Sequence, residues 1–353
     1  MAQIRSILLI SFFSGALFSA CSPIYVIRAA YEEGKILWRR EPIRQLLQKP
    51  DLNSETEEKF KLVLAVREYA RDSLKLKVGG SYTSYSYVDR PVLSYVLMAT
   101  PKTDLKPYTW WYFLVGRLPY KGFFSQEAAE AEASQLREKK YDTYIRTSPA
   151  YSTLGWFDDP LLAHLLKVDK ATLATVILHE LLHSTLFIGG AVDFNESLAD
   201  FVGNQGAILF FQDRYGKKSP EFQKAVQSWQ EELEFSVFIT GVAGSLKALY
   251  EKEVARKEKL RLREKIFSRS QEDWSRRIAN RPAHPYRSFS QQKINNAVIA
   301  HYLLYLKGLQ LFESLYQAEG KDLGRLVSLI AESVQDREDP FQTVQKLLRK
   351  RPL

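Results

Sequence analysis

A chain of 353 residues with 45% hydrophobic and 13% aromatic side chains carries enough apolar material for one large packed domain or two, which excludes a disordered or low-complexity protein. The net charge is +9, but 50 basic and 41 acidic residues are interleaved; a nucleic-acid role is not expected, and a basic surface suits contact with anionic lipid or cell-wall polymer. One cysteine permits no internal disulfide, so stability must come from core packing and any bound metal.

Residues 1–20 differ from the rest. Met1 to Ser6 carries one Arg, Ile7 to Ala20 is a largely apolar run of fourteen, and Ser19-Ala20 precede Cys21. That run is too short to span a bilayer as an ordinary helix, and small residues before a cysteine suit a signal-peptidase site. A signal peptide is therefore expected over 1–20. Leu17-Phe18-Ser19-Ala20-Cys21 resembles a lipobox, which makes the Cys21 thiol the expected point of lipid attachment. Ser22 suits sorting to the outer membrane, so the expected location is a bacterial cell envelope, lipid-anchored and facing the periplasm.

Helical spacing predicts N-terminal helices within 21–80, one over 24–49 broken at Pro42 and one over Ser54 to Leu76. From Ser81 the period shortens: Ser81 to Val88, Val92 to Ala99, Trp110 to Tyr120 and Tyr141 to Thr147 are β-rich, with a helix at Gln126 to Lys139. Trp110-Trp111-Tyr112-Phe113 reads as sheet core, Pro119 to Gly122 as a turn, and Tyr151 to Asp159 as a candidate cleft floor. The expected fold is α+β and mostly helical, with a small mixed sheet packed on a central helix and an edge strand open to an extended peptide. The catalytic core is placed at 81–216 and a helical C-terminal part at 217–353. There, a helix from Pro220 to about Ile239 is expected to be interrupted at Gly241 and Gly244. Leu246 to Ala279 reads as a long solvated helix dense in charge, Arg281 to Tyr286 as a loop, and Ile294 to Tyr316 as another helix.

The central helix, Ala171 to Phe187, follows an Asp169 that can cap it and stops at Gly189-Gly190. It contains His179-Glu180-Leu181-Leu182-His183. Positions four apart share a helix face, so two imidazoles point at one spot with a carboxylate beside it. This is HExxH, and zinc accepts such donors readily. A third protein ligand is needed, and Glu196 is the best candidate. The six residues Gly189 to Phe194 are long enough to bring the chain back along the helix, with Asn195 as N-cap of a return helix and Glu196 in its first turn. Asp200, four further on, can accept the N–H of a ligating histidine. Glu180 then takes a proton from the attacking water and passes it to the leaving amine. A donor to the oxyanion is still required, and His284, Tyr302 and Tyr305 are the candidates. His164 and His301 receive no role.

His179, Glu180, His183, Asn195, Glu196 and Asp200 resemble the HExxH plus NExxxD pattern of the gluzincin metallopeptidases, to which thermolysin belongs. The phrases Ala150 to Phe157, Phe194 to Ser197, Phe201-Val202-Gly203 and Asn295-Asn296-Ala297 are similar to those of a bacterial lipoprotein family described as aminopeptidases. The resemblance implies a Zn2+-dependent peptidase acting on peptide substrates. The His183–Glu196 spacer is shorter than in thermolysin and the GxMEN element is absent, so exo- and endopeptidase action both stay open. The competing reading is a non-catalytic or chaperone-like envelope lipoprotein with a structural zinc site.

Overall fold

The computed structural model describes residues 31, 34–88, 92–112, 116–148, 158–334 and 339–351. The expected signal segment, Cys21 and residues 151–157 of the candidate cleft floor lie outside them.

The described chain is α+β and mostly helical. No single helix runs to residue 49: β1 (Arg40–Pro42) pairs antiparallel with β2 (Ser84–Ser86), and Pro42, with its φ near −59°, opens the short α1 (Ile43–Leu46). Helix α2 (Ser54–Asp72) starts where Asn53 accepts the N–H of Thr56, with Glu55 and Glu57 at its positive end. The expected mixed sheet resolves into three small ones. One is β1-β2-β8 (β8 being Leu161–Leu162), with β2 and β8 parallel, and it leads through a 3₁₀ turn into the central helix. The largest is antiparallel, β6-β3-β7, from Tyr120–Phe123, Ser94–Pro101 and Tyr141–Ser148. The third is the ribbon of β4 (Trp110–Tyr112) and β5 (Gly116–Leu118).

The antiparallel sheet is covered by α3 (Gln126–Glu138) on one side and by α8 (Asn296–Leu306) on the other. Its helical support thus comes from α3 and α8. Trp110 is buried with Leu97, Phe123 and the alanines of α3, as expected of sheet core, whereas Trp111 is 43% exposed. The HExxH helix, α4 (Lys170–Thr185), is capped by Asp169 and packs among other helices: α2, α5 (Val192–Tyr215) and α6 (Pro220–Tyr250).

Three expectations for the C-terminal part change. Helix α6 runs unbroken through Gly241 and Gly244, both exposed and with no heavy atom within 4 Å of where a Cβ would stand, so nothing forces a break there. The charge-dense stretch is instead interrupted at 251–255, before α7 (Arg256–Arg277). The helix expected over Ile294 to Tyr316 is two, α8 and α9 (Leu309–Ala318), separated by Gly308 at φ 77°, a left-handed value that glycine adopts without steric cost. Helices α10 (Leu323–Ser333) and α11 (Pro340–Arg349) complete the fold. One apolar core runs from Ile43 on α1 to Val344 on α11. Within it, Phe341 of α11 and Phe312 of α9 stack edge-on against Phe194 at 5.1 and 5.4 Å, so α11 braces the first turn of α5.

Candidate metal centre

Helices α4 and α5 cross at backbone distance. A methyl group at Gly203 would lie 2.7 Å from the carbonyl of Thr175 and 3.2 Å from Cβ of His179, and one at Gly206 would lie 2.9 Å from Leu178. The loop between the helices is held by Asn195. It is not the N-cap that its sequence suggests, because α5 begins three residues earlier at Val192. Its side-chain amide instead pairs with both backbone groups of Ile188, accepting the N–H at 3.0 Å and donating to the carbonyl at 2.8 Å. Glu196, on the following residue, is thereby fixed one turn inside the helix.

The crossing brings together His179 Nε2, His183 Nε2 and Glu196 Oε2, a group that could hold a metal ion. The imidazole nitrogens are 3.2 Å apart, and they lie 3.5 and 3.9 Å from the carboxylate oxygen. Donors around a tetrahedral zinc, at bond lengths of about 2.0–2.1 Å, are spaced about 3.3 Å from one another, so the residues fit the ion. The tautomer fits as well: His179 Nδ1 lies 2.8 Å from Asp200 Oδ1, so it carries the hydrogen and leaves the Nε2 lone pair facing the cluster.

The electrostatics agree with the geometry. Burial alone would lower the basicity of His179, but its bonds to Asp200 and Glu196 outweigh that and hold it well above the ordinary imidazole range, so Nε2 attracts a cation and a metal there would replace the proton it otherwise shares with Glu196. Burial raises Asp200. It also works to raise Glu196, but the hydrogen bond from His179 brings that carboxyl below its usual value. His183, with less help, is pushed down by burial to about 4. The cluster concentrates acceptors and negative charge in a buried place that calls for a cation.

Residues 24–341 match a family model described as "Putative aminopeptidase". The chain belongs to that aminopeptidase family. No curated protein and no solved structure matches it. Of the three expected oxyanion donors in this aminopeptidase-family chain, only Tyr305 faces the cluster: burial first, then the charge of Glu196, keeps its phenol protonated far above the usual range. Tyr302, one position round the helix from His301, turns into the aromatic core beside Phe235 and Phe289, and its hydroxyl accepts from Gln292. His284 packs edge-on against Trp274, and its Nδ1 accepts the N–H of Tyr286.

Sequence reasoning passes over three neighbours of the site. Tyr120, on the edge strand β6, is raised by burial and by the charges of Glu196 and Glu180. Tyr82 is buried beside Glu180 and sits at φ 60°, a left-handed conformation held by its N–H bond to the carbonyl of Asp159 at 2.8 Å. Glu232 of α6 lies behind Asp200: burial keeps its carboxyl well above the usual range, and Asn204 donates to it at 3.2 Å and to the Asp200 carbonyl at 3.0 Å. For a further residue, Arg146, only the alternation along β7 hints that it faces inward with Tyr144.

Proposed function

We propose that this aminopeptidase-family chain is a zinc-dependent peptidase, tethered through a lipidated Cys21 to a bacterial envelope membrane, on the periplasmic side of the outer membrane. The observation that carries the reading is the spacing of His179 Nε2, His183 Nε2 and Glu196 Oε2, each within 4.8 Å of the others, on helices that also present Glu180. These three residues would hold a zinc ion, whose chemistry there would be to polarise a water molecule and the peptide carbonyl. Glu180, adjacent to His179 but outside the ligand set, takes the proton from the attacking water and returns it to the departing amine. Asp200 fixes the His179 ring through Nδ1.

Tyr305 supplies the oxyanion donor. Arg146 Nη2 donates to its oxygen at 2.8 Å, which leaves the phenol's own O–H to donate to the carbonyl oxygen as it gains negative charge. The lipobox resemblance supports the anchor, and the length of the apolar run supports a cleaved signal segment.

Glu180→Gln tests the reading, because it keeps shape and ligand set while removing the proton carrier. Zinc content and melting temperature should stay at wild-type values while hydrolysis of a peptide library falls about 10²-fold to 10⁴-fold. Undiminished hydrolysis in that variant would remove Glu180 from the chemistry; absence of hydrolysis by a zinc-loaded wild type would return the chain to the non-catalytic envelope reading.

A further inference from the structure

Beside the metal ligands lies a second group of polar atoms, of which the hydrolytic step uses only the Tyr305 hydroxyl and the Arg146 bond that orients it. Tyr144 and Arg146 alternate onto one face of β7, opposite Met98 and Val96 of β3, and that sheet is packed by α8. From α8 come His301 and Tyr305, four apart and on one side of the helix. The His301 ring lies 5.3 Å from that of Tyr144 and 5.6 Å from that of Tyr305. Arg146 donates through Nη2 to Tyr305 at 2.8 Å and through Nη1 to the carbonyl of Thr147 at a long 3.4 Å, and its guanidinium lies 5.5 Å from the Tyr305 ring centre. Its Nε is buried without a hydrogen-bond partner, and so is Nδ1 of His301.

A guanidinium carries five N–H donors in a planar fork shaped for a carboxylate; that of Arg146 is half-buried, with Nε out of solvent, so part of the fork stays open to a ligand. Among the described residues, Arg146 bonds to no carboxylate. Its partner Tyr305 follows Leu304, whose carbonyl accepts the Ser197 hydroxyl at 3.3 Å next to Glu196, so the contact of α8 with α5 brings Arg146 towards the candidate metal ligands. We infer that Arg146, with His301 and Tyr305 around it, is a receptor for the α-carboxylate of a short peptide, and that this contact sets which bond lies at the metal ligands. The Tyr305 hydroxyl is common to the fork and to the oxyanion position, so the carboxylate must lie within one or two residues, at about 3.5 Å each, of the scissile carbonyl. The same charge repels a peptide's ammonium end and so fixes the direction of binding. Taken with removal of an N-terminal residue, which the family's description implies, this makes the substrate class di- and tripeptides with a free C-terminus. This rests on the peptidase reading above.

The test uses zinc-loaded full-length Glu180→Gln protein and calorimetric binding of Leu-Ala-Ala, its C-terminal amide, and an amidated peptide with a glutamate side chain in the last position. Amidation of Leu-Ala-Ala should weaken binding about tenfold or more. Arg146→Gln added to that protein should bring the acid-to-amide ratio to about one, and Arg146→Lys should retain part of it, since lysine keeps the charge without the fork. Equal binding of acid and amide by the Glu180→Gln protein overturns the assignment and needs no Arg146 variant to fold. A preference that survives Arg146→Gln overturns it too, as does tight Arg146-dependent binding of the amidated glutamate peptide alone. Wild-type protein that hydrolyses acid and amide at equal rates refutes only the carboxylate receptor, whereas one that hydrolyses neither refutes the peptidase reading.

Discussion

Gly203 shows how little room the site leaves. Any Cβ there meets the Thr175 carbonyl at 2.7 Å, and that contact is backbone and cannot swing away. Gly203→Ala should push α5 off α4, costing about 1–3 kcal/mol and separating His179 from Glu196 and Asp200; melting temperature and bound metal should fall together. Gly241→Ala and Gly244→Ala, on the open face of α6, should instead stabilise by about 0.5–1 kcal/mol, as alanine does in an exposed helix. A fall in stability there, or full metal content in Gly203→Ala, would contradict this close crossing of α4 and α5. At this scale the sequence is legible where chemistry imposes spacing. Two imidazoles must be four apart to share a helix face, and Glu196 and Asp200 follow once the chain has to return. Asn195 misleads because an amide before an acidic helix start is the pattern of an N-cap, and only the path of the loop shows it clipping Ile188. Glu232 leaves no signal, and Arg146 leaves nothing beyond its strand alternation, since their surroundings come from α5 and from α8, far along the chain.

Among the elements, α7 departs furthest from its sequence pattern. Its dense charges read as a solvated surface, and for Arg261 and Arg276 they are. Arg263 is different: it is buried, with Nη1 donating to Asp142 at 2.7 Å and to the Lys102 carbonyl at 2.7 Å. The same carboxylate accepts the N–H of Asn296, whose side chain holds the Pro101 and Asp104 carbonyls, while Asn295 caps α8 and donates to the Thr143 carbonyl. The Asn295-Asn296 pair, without a derivable role in the sequence, is thus the joint that fixes α8 against β3 and β7, and so sets Tyr305 opposite Arg146. Arg263→Ala should lower stability by about 3–5 kcal/mol through the stranded Asp142, while Arg261→Ala should stay within about 0.5 kcal/mol; denaturant melts of the two variants decide it. Which arginine of a charged helix turns inward depends on a carboxylate 121 positions away, and no periodicity encodes that.

For the molecule as a whole, a main core from α1 to α11 with smaller apolar clusters beside it means that a charge buried among them is read in global unfolding. His301 is held neutral by burial and by the adjacent Arg146 charge, its pKa lowered to about 3, and it faces Arg146, Tyr144, Tyr302 and Tyr305, with no acid against it among the described residues. The unfolded chain takes up a proton near the ordinary value of 6.5 and the folded chain does not, so the stabilisation is full above that pH and is lost as pH falls from there toward 3. Melting temperature should decline between pH 7 and pH 4, and His301→Gln should flatten that decline; an unchanged slope would place the acid sensitivity elsewhere.

The brace of Phe341 on Phe194 carries a consequence for biogenesis. The helix that presents Glu196 is seated by a segment synthesised long after it, so a chain emerging N-terminus first has both histidines in place well before α5 is fixed beside them. Until α11 docks, Glu196 is held by the Asn195 clip on Ile188 without the full aromatic packing behind Phe194. A chain cut short before Pro340 therefore keeps all three candidate donors but lacks the ring that closes the core behind them.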